Sequence, residues 1–135
     1  VASIRKKGLS PDEFSGFFGR VSDDAAKNGA KETGAWICIR HSGDDWEACA
    51  QIDREYITKD PEISVYRLPA IEKAACVIHK GPWGAAMRPT IEGFFEWAKL
   101  NGMEVAPSFG EIFHVGEREN PDWSTFVTEL QYPIK

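Results

Sequence analysis

ACVIHKG, residues 75–81, is the stretch of sequence that determines the fold class. An apolar run that ends at a Lys-Gly pair is typical of a buried strand that leads into a turn. A second Lys-Gly pair occupies residues 7–8 and follows the shorter stretch VASIRK at residues 1–6. Lys7 and Lys80 lie 73 residues apart, and this spacing indicates an internal repeat.

The repeat continues through the rest of the chain in the same order. Each Lys-Gly pair is followed by Gly-Phe-Phe, a strand that ends in histidine, a polar loop, and a tryptophan that opens a further strand. These features are residues 16–18 and 93–95, His41 and His114, and Trp46 and Trp123. The order predicts one domain over residues 1–135, with pseudo-repeats at about 1–57 and 72–135 and a linking strand at about 62–68.

Two helices are expected, one in each copy. Ser10-Pro11-Asp12-Glu13 has the chemistry of a helix start, with a serine cap, a proline in the first turn and acidic residues at the positive end of the dipole. That helix is predicted to end near residues 28–29. The second spans about 84–100, and Pro89 predicts that its regular part begins there. The fold class is therefore α+β: duplicated β-α-β-β units form an antiparallel sheet, with two helices on one face and a ligand cleft between the halves.

Composition narrows the classes of function. The net charge is −5, from 21 acidic and 16 basic residues that are scattered along the chain, which argues against direct binding of nucleic acid. Three cysteines without a CxxC spacing argue against a disulfide framework and favour a cytoplasmic setting. No run approaches the roughly 18 apolar residues of a membrane span. The histidines lack metal-ligand spacing and no phosphate-binding loop is present, so neither a metal nor another cofactor is expected.

Five segments together carry a family resemblance. They are LPA at residues 68–70, HKGPW at 79–83, FEWA at 95–98, GEIF at 110–113 and ELQYPI at 129–134. This set resembles the GyrI-like family, the effector-binding domain of bacterial multidrug-responsive transcription activators. Residues 62–135 carry nearly all of the resemblance, and the first half matches mainly through the internal repeat.

The resemblance implies a cleft for lipophilic, aromatic and often cationic small molecules. It also implies that a strand glutamate, here Glu111, points into the cleft and meets the positive charge of the ligand. Many members are fused to a helix-turn-helix DNA reader, others stand alone, and some relatives hydrolyse cyclopropane-bearing toxins. The chain departs from the family at Trp83, where tyrosine is usual, and it has no helix-turn-helix pattern. A fused or separate DNA-binding partner and a homodimer are left open.

Six residues are the candidates for ligand contact: Glu111, Trp83, Trp36, Phe113, Phe126 and Tyr132. Each also has a structural interpretation, which is an exposed strand position for the glutamate and core packing for the aromatic residues. Cys38 is the repeat mate of Glu111. If Ile37 and Ile39 face the helices, then Trp36 and Cys38 lie on the same side as Glu111.

Two functions are consistent with these residues. The favoured hypothesis is a drug-sensing or sequestering module that binds lipophilic aromatic cations through Glu111. The alternative is a hydrolase of cyclopropane-bearing aromatic toxins, in which burial raises the pKa of Glu111 and the carboxylate acts as general base. A protein-interaction role, as for a gyrase-inhibiting relative, has no signal in the sequence. The sequence does not decide between binding and turnover.

Overall fold

A computed structural model describes residues 1–106 and 108–134, and within these ranges the chain divides into two compact units, Val1–Ala70 and Ile71–Lys135. Each unit contains a β-α-β-β arrangement with antiparallel strand pairs. The predicted α+β fold with two such units is therefore confirmed. No helix in the described ranges is long and apolar enough to cross a membrane.

The first unit has four strands and one helix. In chain order these are β1 (Ala2–Lys7), α1 (Pro11–Lys27), β2 (Ile37–Ser42), β3 (Asp45–Ala50) and the short β4 (Ser64–Val65). Within the unit the strand order is β4-β1-β3-β2. The short β4 lies within residues 62–68, where the sequence predicts a linking strand.

Local chemistry accounts for the bounds of α1. Ser10 and Glu13 form a capping box, in which the Ser10 hydroxyl accepts a hydrogen bond from the Glu13 backbone N–H and the Glu13 carboxylate accepts one from the Ser10 N–H. The helix is capped at Asn28, and Gly29 then takes a φ of 78° that favours glycine. Val21 packs on Ala2 and Ile4, so α1 covers the face of the sheet that carries these residues.

The second unit has three strands and one helix. They are β5 (Ala74–Lys80), α2 (Arg88–Leu100), β6 (Phe109–Val115) and β7 (Val127–Pro133), with 3₁₀ turns at Gly84–Met87 and Trp123–Thr125. The strand order is β6-β7-β5. Phe94 and Ala98 of α2, together with Met87 of the preceding 3₁₀ turn, pack on Leu130 and Tyr132 of β7. The regular helix begins beside Pro89, as the sequence predicts.

The structure corrects two predictions of local structure. Trp123 does not open a strand, because it lies in a 3₁₀ turn whose Asp122 carboxylate accepts hydrogen bonds from the backbone and hydroxyl of Ser124. The condition that Ile37 and Ile39 face the helix is also wrong. Cys38 pairs with Ala48, which also pairs with Ile4 on the face that α1 covers, so the two isoleucines lie on the opposite face.

Candidate functional site

Glu111 lies in the middle of β6 on the face of the sheet that α2 covers. It pairs with Leu130 of β7, which packs against α2, and paired residues in an antiparallel ladder point to the same side. The residue is only 3% exposed. Its neighbours on the same face of the strand are Phe109 and Phe113, so the carboxylate stands between two aromatic residues.

Phe113 belongs to the tryptophan cluster, which consists of Trp83, Phe113, Trp123 and Phe126. The Trp83 ring centroid lies 4.9 Å from that of Phe113 and 4.6 Å from that of Phe126. Trp123 is stacked over Phe126 at 5.7 Å and lies 5.9 Å from Trp83. Trp83 thus contacts two other predicted site residues, Phe113 and Phe126, and Trp123, which the sequence predicted as the start of a strand, joins the cluster.

Phe109 belongs to the tyrosine stack, which consists of Phe94, Phe109 and Tyr132. The Tyr132 ring is stacked on Phe94 at 4.2 Å and on Phe109 at 4.5 Å between ring centroids. Tyr132 is fully buried in the core of the second unit. The structure therefore places this predicted site residue inside the packing beneath α2, on the same sheet face as Glu111.

The turn that carries Trp83 is held by three hydrogen bonds. The Gly81 N–H donates to the Phe126 carbonyl at 2.8 Å, and the Trp83 indole N–H donates to the Thr128 hydroxyl at 3.1 Å. His79 Nε2 lies 2.8 Å from the Pro82 carbonyl, and because a carbonyl only accepts, Nε2 donates. Gly81 and Gly84 have φ values of 114° and 77°, a region that favours glycine. The sequence Gly-Pro-Trp-Gly therefore fixes the position of the Trp83 ring.

Trp36 lies in the first unit, separate in sequence from these clusters. Its ring is stacked on Phe18 of α1 with the centroids 5.3 Å apart. Cys38 is buried on the same face, so Cys38 and Glu111 occupy matching positions, each on the helix-covered face of its own unit. The role of Trp36 as a pocket wall stays a prediction.

A buried carboxylate on the opposite face of the first unit was not anticipated from the sequence. Glu47 on β3 is 4% exposed, and it accepts hydrogen bonds from His41 Nε2 at 2.7 Å and from the Tyr66 hydroxyl at 2.5 Å. Burial opposes its ionisation, but hydrogen bonds from Ser3, Tyr66 and His41 outweigh burial and hold the pKa of Glu47 below its usual range. The same burial, together with the charge of Glu47, raises the pKa of the Cys49 thiol.

The second unit repeats this pair. Glu129 on β7 accepts a hydrogen bond from His114 Nε2 at 3.1 Å, and its pKa is lowered by hydrogen bonds from Gln131 and His114. Both histidines occupy a shift in strand register, between Arg40 and Ser42 and between Phe113 and Val115, and such a bulge turns a side chain relative to a regular strand. The repeated histidines were a signal that could have led to these carboxylates.

A recess of about 260 Å³ in the first unit is lined mainly by polar and charged residues, Asp53, Arg54, Glu55, Tyr66 and Arg67 among them. Its lining includes none of the six predicted ligand-contact residues. Within residues 1–106 and 108–134, no group of three or more His, Cys, Asp or Glu side chains is placed to hold a metal ion.

Comparison with known proteins defines the class of fold. No family model matches the sequence, and no curated protein matches it. Among solved structures, the chain is similar to the EcmrR C-terminal domain at 22% identity and a TM-score of 0.86, over 99% of this chain and 89% of that one. It spans about half, 53%, of the EcmrR chain in a cryo-EM complex with DNA.

Two further structures have the same fold at lower similarity. SAV2435, solved bound to tetraphenylphosphonium, has 14% identity and a TM-score of 0.62, over 100% of this chain and 88% of that one. A hydrolase from Listeria innocua has 13% identity and a TM-score of 0.64, over 99% and 86%. The chain therefore has the GyrI-like fold that its sequence resembles.

Proposed function

We propose that this chain binds lipophilic aromatic cations and that Glu111 is the counterion of the bound ligand. The observation that carries the proposal is the position of Glu111, a buried carboxylate on one sheet face with the tryptophan cluster on one side and the tyrosine stack on the other. A small-molecule pocket typically combines an apolar lining with few polar groups, and this arrangement has that character.

Burial strengthens the preference of the Glu111 carboxylate for a positively charged ligand. Charges interact more strongly in the low dielectric of a protein interior than in water, so a buried carboxylate favours a cation over a neutral or anionic ligand. Aromatic faces add about 0.5–2 kcal/mol for each cation–π contact. Phe113 lies two residues from Glu111 on the same face of β6, and its ring contacts that of Trp83; these rings favour a ligand with aromatic groups around its charge.

A solved structure of the same fold supports this ligand class. SAV2435 was solved with tetraphenylphosphonium, a cation whose charge is surrounded by four phenyl rings. A sequence identity of 14% supports a shared fold but assigns no residue roles. The support for Glu111 as the counterion therefore comes from its buried position in this chain.

The test is a calorimetric titration with tetraphenylphosphonium and with triphenylphosphine oxide, a neutral compound that also carries phenyl rings. We expect Glu111→Gln to weaken tetraphenylphosphonium binding by about tenfold or more, the equivalent of ~1.4 kcal/mol, and to change binding of the neutral compound much less. Glu129→Gln is the matched control, because Glu129 lies on the opposite face of the same sheet. Absence of cation binding, or equal losses for both Glu→Gln variants, would overturn the proposal.

A hydrolase is the second candidate, and the Listeria innocua hydrolase of the same fold is the observation that favours it. Glu111 would then act as general base for a water molecule, a role that also requires a carboxylate in a sheltered aromatic site. Incubation with a cyclopropane-bearing aromatic compound distinguishes the two functions. Many equivalents of ring-opened product per protein would indicate an enzyme, and recovery of the unchanged compound would indicate a binding module.

A further inference from the structure

The tryptophan cluster is closed in this structure. Phe126 is fully buried at 0% exposure, Phe113 is buried, and Glu111 beside them is almost inaccessible. An aryl group that approaches Glu111 along this cluster must therefore take the place of one of its rings. The identity of that ring follows from how each one is held.

Three of the four rings are fixed. Trp83 is held by its hydrogen bond to Thr128 and by the turn that His79 and Gly81 secure. Phe113 is part of β6, and Phe126 is the fully buried residue that directly precedes β7.

Trp123 differs from these rings in exposure and in support. It is 44% exposed and belongs to a 3₁₀ turn of three residues. Within the part of the chain that the structure describes, its side chain is held by contacts with the rings of Trp83 and Phe126, without a hydrogen bond. Its indole thus lies on the outside of the cluster and covers the ring of Phe126.

We propose that the position of the Trp123 indole, on Phe126 and Trp83, is a subsite for an aryl group of the ligand, and that Trp123 occupies it when no ligand is bound. This inference rests on the proposed function and adds a place for one aromatic ring of the ligand. The ligand exchanges its own ring for the indole, while its charge reaches Glu111. The expected ligand is a cation with at least one flat aryl group that can rotate out of the plane of the other groups of the ligand.

Removal of the indole tests the exchange, because a ring that competes with the ligand and a ring that forms a wall have opposite effects. We expect Trp123→Ala to bind tetraphenylphosphonium roughly three- to tenfold more tightly than the parent chain. In the parent the ligand must break the contacts of the indole with its neighbouring rings, and each such contact reduces the affinity by a factor of about 2–10. Trp123→Phe, with a smaller ring, should lie between the two. A weaker complex for both variants would identify a wall and overturn the inference.

Trp97→Ala is the matched control. Trp97 is a similarly exposed tryptophan of the same unit, at 47%, and it contacts Phe94 outside the tryptophan cluster. The Trp97→Ala variant should bind tetraphenylphosphonium with unchanged affinity, and a gain in affinity equal to that of Trp123→Ala would also overturn the inference.

In 5-fluorotryptophan-labelled protein, the ¹⁹F resonance of Trp123 should move towards the value of solvent-exposed tryptophan when ligand binds, and an unmoved resonance would count against exchange.

These results separate the two proposals. If the parent chain does not bind tetraphenylphosphonium, the proposed function fails and the subsite fails with it. If the parent binds and Glu111→Gln weakens binding, but Trp123→Ala weakens it as well, only the subsite is overturned.

Discussion

Replacement of Glu47 by glutamine should change both the stability of the protein and its dependence on pH. In the native structure this carboxylate accepts hydrogen bonds from His41, Tyr66 and Ser3 while almost fully buried. Glutamine has nearly the same shape but presents an NH₂ group in place of one oxygen. One of the donors that faces Glu47 would then face another donor.

The magnitude follows from the loss of that contact. A hydrogen bond to a charged group contributes about 1.5–3 kcal/mol, and a buried donor left without an acceptor costs a similar amount. We therefore expect Glu47→Gln to lower the free energy of unfolding at pH 7 by about 2–3 kcal/mol. Urea unfolding followed by tryptophan fluorescence measures this difference directly.

The sign of the pH dependence follows from the lowered pKa of Glu47. The unfolded carboxyl group titrates near 4.5, and the folded one titrates below that value. Its contribution to stability is thus complete above about pH 4.5 and is lost as the pH falls through the folded pKa. The difference between the parent chain and Glu47→Gln should therefore be equal in urea titrations at pH 7 and pH 5 and smaller at pH 3.5.

Glu129→Gln is the control for this experiment, because Glu129 is the matching residue of the second unit. Its side chain is 22% exposed against 5% for Glu47, so solvent screens its contacts and the loss should be below about 1 kcal/mol. If Glu47→Gln and the parent chain lost stability in parallel as the pH falls, the assignment of a lowered pKa to Glu47 would be refuted.

Substitutions at three further positions probe the structure. Ser10→Ala removes the cap of α1 and should cost about 1 kcal/mol in urea unfolding, whereas Ser10→Asp should retain most of the stability. Thr128→Val removes the acceptor of the Trp83 indole and should cost about 0.5–1.5 kcal/mol and shift the Trp83 indole N–H resonance, while Thr128→Ser should restore both. Phe94→Ala opens a cavity beside Tyr132 and should cost about 3–5 kcal/mol by thermal unfolding, and a loss below 1 kcal/mol would contradict the packing described for α2.

The sequence predicted features that depend on local chemistry. Helix α1 starts and ends where the cap at Ser10 and the glycine at position 29 indicate, because these residues act within one turn of the chain. Pro89 marked the start of α2 for the same reason. The duplication was visible because Lys-Gly and histidine recur at one spacing.

Which strand face meets the helix was not predictable from alternation alone. In the first unit both faces are largely buried, with Ala48 on one side and Glu47 and Cys49 on the other, so hydrophobicity does not identify the covered side of β2. Trp123 was misplaced because the turn depends on hydrogen bonds to Asp122, which compete with strand formation.

The candidate site residues remain predictions, and they differ in how much the sequence could say about them. Glu111 was predicted to contact a ligand because the sequence around it resembles the GyrI-like family. Its burial on the strand face is consistent with that prediction. The Glu47–His41 pair was missed because the repeated histidines indicate one partner only, and the strand register and the bulge at His41 determine which carboxylate that histidine contacts. Residues that contact each other across strands are separated in sequence, so local sequence patterns do not reveal the contact.

The two Glu–His pairs have a consequence for how this fold can be altered. In both units the face away from the helix carries the same pair, while the helix face carries Cys38 in one copy and Glu111 in the other. Because side chains alternate along a strand, the two sides of one strand behave as separate surfaces. Side chains on one face of a strand can therefore change while those on the other face continue to set the strand register, so the Glu–His pairs and the residues of the helix-covered face can vary independently.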